Sequence, residues 1–587
     1  MRKTAYLIIA IICMMGLWSC DDYLDLAPEQ TESVEGIFTE YTSFRSYTDY
    51  LYFLRKDYFD WFHRGLPTAN SDEATSTNTD WMASVRYKDG NNWMASMNYR
   101  TYEIGWKNTN NKDYGKQSPV IANSMQGLRV ANTALSYFYL LTDATEQEKK
   151  HLKGEIHYFR AWYYMQVILR YGGMPIIDKV YGGGEEVDIP RLSYQESTDW
   201  LLEEFDRAIE LLPETWPQNE LGRTNKGMAY AAKNMALLYA ASPLMNPENG
   251  YQYNTERCKA LCANAINLFK MENAGIYRLY DLDEYDNIWY SKVNPVSKEA
   301  IIFVNYTTRT KGENKVGGVS HKYGGFQFFD APTQNAVDKY ETINGLPTDE
   351  DPSYDSQNPY VDRDPRLYKN IYVNGDVVAQ KGTTNFIFQP YIGGSDDPTK
   401  EKVGGKRTPR TGYMMRKFWP FGVNNKANDW EGWYKPWINY RLAQAYLDFA
   451  EAANEAYGPF GEVPGTSLTA VEAINVIRRR AEMPEVNSMY TGSKEDFRAR
   501  IRNERAVELM FENQRSHDLR RWMTAVEVMG SDLNRAHIIK NGDGTFTYSS
   551  VKMDDIYQAV FSEKNYWYPI PNEDDELLLN FDQNPGW

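Results

Sequence analysis

The chain has 587 residues and carries 64 Lys and Arg against 80 Asp and Glu, a net charge of −16. That length allows several domains, or one large domain with long insertions, and the acidity argues against a general nucleic-acid partner. Aromatic side chains make up 14% of the chain, with 45 Tyr and 16 Trp beside 24 Phe. This bias favours rings with one apolar face and one polar edge. Most of them must be core, but such rings also suit the apolar C–H faces of sugars.

The chain opens with Arg2 and Lys3, an apolar run from Ala5 to Gly16, and then Leu17-Trp18-Ser19-Cys20. A basic start, a short apolar core and small residues at the end make a secretory signal. The run is short for a membrane span, which wants about 20 residues. Cys20 resembles the lipobox cysteine of bacterial lipoproteins. The resemblance implies a signal peptide over 1–19 and an acylated Cys20 held in a membrane, where each buried methylene contributes about 0.8 kcal/mol. Asp21 and Asp22 resemble the acidic signal that sends Bacteroidota lipoproteins to the outer face of the outer membrane. Residues 20–40 read as a tether and 41–587 as a single domain.

Residues 72–106 follow as a polar stretch crowded with rings: Trp81, Trp93, Tyr99, Tyr102 and Trp106 beside Asp72, Arg86 and Asn92. Little apolar sequence lies nearby for these rings to pack on, so they are candidate stacking platforms next to hydrogen-bonding side chains. Helical patterns then dominate. Gln147–Tyr171 predicts a long helix ending at Gly172-Gly173. Ser197–Leu212 carries Trp200, Leu201, Phe205, Ala208, Ile209 and Leu212 as an amphipathic stripe stopped by Pro213. Asn225–Ala241 is Ala-rich, and Cys258–Met271 gives another helix. Cys258 and Cys262 share a face of it as small packing residues; with Cys13 lost in the signal, no disulfide framework can form. Paired helices with alanine at the contacts resemble degenerate tetratricopeptide repeats.

From about 275 to 437 the texture changes. Gly, Pro, Asn and Asp rise, and Gly317-Gly318, Gly324-Gly325, Gly393-Gly394 and Gly404-Gly405 punctuate the stretch. It reads as a loop-rich insertion with short strands, the kind of elaboration on a rigid scaffold where binding is usually found. Helices resume at Asn439, with Leu442, Tyr446, Phe449 and Ala453 on one face. Further on, Glu504, Arg505, Glu508, Asp518, Arg520 and Arg521 are dense charges among apolar neighbours such as Phe497, Ile501 and Phe511. Charges on a packed face must be paired, so this cluster reads as a structural ion network. Asn541-Gly542-Asp543-Gly544 reads as a hairpin turn.

Signs of catalysis are weak. The six histidines form no metal-binding pair, and no nucleophile elbow or P-loop appears. Asp281, Asp283 and Asp286 hint at calcium, but a twelve-residue loop would place Lys292 where its glutamate belongs. Two carboxylates could serve a glycosidase, yet the best helical pair, Glu504 and Glu508, already has structural partners. No cofactor is expected.

An ordered set of stretches identifies the family. They are Gly154–Ile176, Pro332–Gly345, Asp362–Leu367, Gly412-Tyr413 with Arg416-Lys417, Asn439–Tyr457, Ala473–Pro484, Ile501–Trp522, Tyr568-Pro569-Ile570-Pro571 and Gln583-Asn584-Pro585-Gly586. Running from the lipobox to the C-terminus, they resemble the SusD/RagB family of outer-membrane glycan-binding lipoproteins. The resemblance implies a predominantly α-helical fold and non-catalytic capture of an oligosaccharide. It also implies delivery to a SusC-like TonB-dependent transporter, with the protein as a lid on the transporter. The family's ligand site draws on the N-terminal ring-rich region and the mid-chain loops, where Trp289, Tyr290, Tyr323 and Phe326 are the further candidates. A peptide ligand, a surface glycoside hydrolase and a lid without a ligand of its own are the alternatives.

Overall fold

The structure, a computed structural model, describes residues 34–58, 67–76, 120–181, 189–309, 320–323, 330–420, 432–553, 561–570 and 582–587. The signal and most of the tether lie outside them. Among the described residues ten helices reach seven residues or more: α1 Tyr41–Phe53, α2 Val120–Ser136, α3 Glu146–Tyr171, α4 Tyr194–Leu211, α5 Lys226–Ala241, α6 Thr255–Asn273, α7 Leu442–Tyr457, α8 Ala470–Arg480, α9 Lys494–Glu508 and α10 Arg515–Arg521.

Local chemistry sets many of these boundaries. Thr145 with Glu148 and Ser193 with Glu196 close capping boxes on α3 and α4, while Asn225 and Asn254 cap α5 and α6. Gly172, at φ 83°, stops α3 in a conformation that a Cβ would strain. Consecutive helices pack against one another from α1 through α6. Small residues allow the close approach: a Cβ on Gly127 of α2 would sit 2.2 Å from the ring of Tyr163 on α3, and α5 buries Ala229, Ala231, Ala232, Ala236, Ala240 and Ala241.

After α6 the chain leaves the stack. It forms short antiparallel two-stranded ladders and then returns, so that α7 packs directly on α6 and in turn carries α8 and α9. The loop-rich stretch is thus an insertion between two neighbouring helices. The expected helix from Asn439 begins at Leu442 instead. Asn439 to Arg441 belong to strand Trp437–Arg441, paired with Ala300–Val304. The predicted hairpin is present, Asn534–Lys540 against Phe546–Lys552. Cys258 and Cys262 are free and buried, and burial pushes the Cys262 thiol up to about 12.

The charges on α9 and α10 are buried and paired. Glu508 meets Arg441 at 2.7 Å, Arg366 at 3.0 Å, and Arg480. Glu504 meets Arg366 at 2.5 Å and Arg478 at 3.1 Å. Arg505 reaches Asp448 at 2.6 Å and Asp518 at 3.2 Å, and Arg521 grips Glu451 at 2.5 and 2.8 Å. Arg520 differs from its neighbours, lying over the rings of Phe561 and Tyr568. Phe511 falls beyond the end of α9, in a reversal where Phe511 and Asn513 take φ 68° and 64°. Lys417 stabilises that reversal by donating to the carbonyls of Glu508 at 3.2 Å and Met510 at 2.9 Å and to Glu512 at 2.7 Å.

Removing one member of a buried ionic set costs more than the pair contributes, because the partners stay buried and uncompensated. Glu508→Ala is therefore expected to destabilise the protein by about 3–5 kcal/mol in chemical denaturation. Glu495→Ala on the exposed side of α9 should stay within about 0.5 kcal/mol of the parent. Equal small effects would remove the network from its structural role.

Candidate functional site

Of the residues expected to bind ligand, Trp81, Arg86, Asn92, Trp93, Tyr99, Trp106 and Phe326 lie outside the described residues, as do Tyr102 and Cys20. The other four are described, and the structure buries all four. Asp72 is buried in a two-bond pair with Arg515 at 2.8 and 3.0 Å and a third contact with Lys339 at 3.0 Å. Burial alone would raise its carboxyl, but these cations hold it well below the usual range. Trp289 is 2% exposed. Its ring lies 4.6 Å from the Lys417 ammonium, 5.2 Å from the Arg441 guanidinium and edge-on to Phe418 at 5.0 Å, so no face is left for a ligand. Tyr323 is fully buried and donates to Asp396 at 2.6 Å. Tyr290 is buried against the edge of Trp433, ring centroids 5.7 Å apart.

Strand Ala74–Ser76 pairs antiparallel with Asp330–Pro332, with Ala74 opposite Pro332 and Ser76 opposite Asp330. The points where 77–119 and 324–329 join the described fold are therefore side by side. Two buried carboxyls fix this junction. Asp72 holds it through its ion pairs, and Thr333 donates from its backbone to the Glu73 carbonyl at 3.0 Å. The Glu73 carboxyl accepts from the Phe511 amide at 3.3 Å and from the Thr68 hydroxyl.

Rings that reach solvent also lie on and beside the ladder of 433–434 against 308–309, and sequence reasoning passed over them. Trp433 and Tyr434 are half-buried on a two-residue strand opposite Arg309 and Thr308. Tyr434 exchanges backbone bonds with Ser291 at 2.8 and 3.0 Å, which brings the exposed Lys292 ammonium to 5.0 Å from the Trp433 ring. The buried indole N–H of Trp433 has no acceptor among the described residues, and such an unmet donor is uncommon. Tyr306 is 40% exposed beyond the end of strand Ala300–Val304. Asn305 turns the chain there at φ 59° and donates to Asp57 at 3.0 Å. The ring of Tyr306 rests on Gly222, where a Cβ would come within 2.5 Å of it. The visible signal was the run Gly432-Trp433-Tyr434-Lys435-Pro436-Trp437, at the end of the loop-rich stretch. Half-exposed rings beside an ammonium can stack on the C–H face of a sugar while the cation meets its hydroxyls.

The acidic cluster offers less. Asp281, Asp283 and Glu284 bring carboxylate oxygens within 4.8 Å of one another. However, Glu284 is held by Arg278 through two bonds of 2.7 and 2.8 Å, and Asp286 turns toward Lys369 at 3.6 Å and Arg416 at 3.7 Å. Among the described residues no helix is long and apolar enough to cross a membrane.

Comparison with known proteins agrees with this architecture. The model described as the SusD family matches residues 288–587, and one described as starch-binding associating with outer membrane matches residues 23–237. The chain belongs to the SusD family. It is similar to SusD-like protein P38 of Formosa agariphila, 25% identical over 387 residues, which are 64% of this chain and 67% of that protein. A SusD-like protein of Bacteroides fragilis NCTC 9343 superposes with a TM-score of 0.72 at 25% identity, covering 94% of this chain and 98% of that one. A SusD-like carbohydrate binding protein of the same strain reaches 0.67 at 21% identity, covering 93% and 99%. The helical, tetratricopeptide-like fold expected from the sequence is the one found.

Glu73 gives the junction a pH dependence. Burial, aided by the neighbouring Asp72 charge, pushes its carboxyl from 4.5 up to about 8. The folded chain keeps that proton after the unfolded chain has released it, so stability falls as pH rises from about 4.5 to about 8 and levels off above. Glu73→Gln, which cannot ionise, is expected to match the parent near pH 4.5 and exceed it at pH 8.5 in urea unfolding. An unchanged pH slope would show that Glu73 is ionised in the fold.

Proposed function

We propose that this protein captures a glycan at the cell surface and delivers it to a SusC-like TonB-dependent transporter, acting without catalysis. The observation that carries the reading is the solvent-facing aromatic edge of Trp433, Tyr434 and Tyr306, with Lys292 beside it, in a chain of the SusD family. A solved relative of the same fold is a carbohydrate binding protein, and an outer-membrane association is part of the matching family description. The 77–119 and 324–329 stretches join the fold at one ladder, so Trp81, Trp93, Tyr99, Trp106 and Phe326 are the proposed ligand contacts on them. The non-catalytic part rests on Glu504 and Glu508. Both are buried and clamped by arginines, which prevents either from serving as an acid or base at a glycosidic bond. Cys20 is the proposed lipid attachment, with residues 20–40 as a tether and the single domain facing outward.

Calorimetry on the chain from Asp21 onward, against a panel of soluble glycans, tests the ligand class. Saturable binding is expected, weakened about tenfold by Trp433→Ala and by Trp93→Ala, the loss of one stacked ring. Binding to extended peptides and to no glycan would replace the reading with peptide transport, and failure with both would leave a lid. Cys20→Ala should move the protein from the membrane fraction to the soluble fraction. Retention in the membrane would remove the lipid anchor.

A further inference from the structure

A second concave site opens where the C-terminal tail meets the start of α4. It is a cavity of about 250 Å³ with walls from Gly172-Gly173, the 191–195 segment, the 244–248 segment, Trp567 and the tail. The tail is part of the fold there. Asn584 donates to the carbonyls of Tyr171 at 3.0 Å and Tyr568 at 2.7 Å and accepts from Arg191 at 2.6 Å. Gln583 closes two 2.8 Å bonds on the backbone of Ile570, and the Trp587 indole donates to the carbonyls of Lys564 and Trp567. Arg191 is further fixed by the carbonyls of Tyr171 at 2.7 Å and Gly173 at 2.8 Å. The wall is therefore preorganised, which lowers the cost of binding.

The lining chooses among ligand classes. Trp567 is half-buried, with its ring 6.0 Å from that of Tyr194, and Pro247 and Pro585 are exposed lips. The cavity carries one charge of each sign, the Arg191 guanidinium and the exposed Glu248 carboxylate. An anion would face Glu248, and a cation would face both Arg191 and the positive end of the α4 dipole. A neutral ring with hydroxyls and one apolar face can donate to the Glu248 carboxylate and use the indole as a platform. The volume lies below the roughly 300–1,000 Å³ of sites for drug-sized ligands, which leaves room for one ring.

We propose that this cavity is a second ligand site, separate from the aromatic edge, that takes the neutral end ring of a saccharide. Its lining residues include none from the aromatic edge, and the proposal does not require that edge to bind anything.

The test is ligand-observed NMR titration of the chain from Asp21 onward with glucose, galactose, mannose and N-acetylglucosamine. Saturable binding of at least one of them is expected in the parent and unchanged in Trp433→Ala. It should weaken about tenfold in Trp567→Ala and Glu248→Ala, each of which loses one contact. Glu248 is exposed, so its variant keeps the fold if the tail packing around Trp567 does not survive substitution. The proposal fails if none of the four sugars saturates, if Glu248→Ala binds like the parent, or if Trp433→Ala abolishes binding. Tighter binding of glucuronate or glucosamine than of glucose would overturn the neutral-ring assignment. In oligosaccharide calorimetry Glu248→Ala is expected to lose the cavity's contribution and keep that of the aromatic edge, and Trp433→Ala the reverse, so the two sites stand or fall separately.

Discussion

The charge of Glu508 at the end of α9 holds together parts of the molecule that are far apart in sequence. One carboxylate oxygen accepts from Arg441 and Arg480 and the other from Arg366, while the main-chain carbonyl takes Arg441 and Lys417. Arg366 and Lys417 come from the loop-rich insertion, Arg441 from the strand that precedes α7, and Arg480 from the end of α8. A carboxylate in so buried a position would be prohibitively costly alone, and so many fixed donors hold it ionised, well below its ordinary range. The insertion is therefore joined to the helical stack by directional bonds, which fix the register of loops whose short ladders could not do so by themselves.

The aromatic wall grows out of this network. Lys417 and Arg441, spent on Glu508 and Glu512, also lie over Trp289. From there rings follow one another through Phe418 and Trp437 to Tyr58, while Tyr290, next to Trp289 in the chain, backs Trp433. The buried Trp289 and Phe418 carry cations, and the half-buried Trp433 has the exposed Lys292 ammonium nearby. An edge built this way is rooted in buried ion pairs and has an exposed cation at its rim. That arrangement suits a ligand recognised by ring stacking, where a displaced platform loses contact area at once.

Much of the architecture was legible in the sequence. The stripe of α4, the alanines of α5, the glycines after α3 and the change in texture near residue 275 are local patterns with local causes: periodicity, close packing and backbone freedom. The pairing of charges on α9 and α10 followed from one rule, that packed charges need partners. Which partners they found did not follow. Arg366 and Arg441 are separated from α9 by long stretches of chain, and only the folded chain brings them there.

The candidate site shows the same division. Sequence alone determined that this is an aromatic-rich, helical, SusD-family chain with its elaboration between α6 and α7. It could not tell a platform from a core ring, because Trp289 and Trp433 are the same side chain in similar loop-rich surroundings. Tertiary structure decided between them. Trp289 fell beside two cations of the ionic core and was buried, while Trp433 came to a short ladder and stayed half-buried. Exposure is set by what the rest of the chain brings to a residue, and a residue's own neighbours in sequence do not encode it.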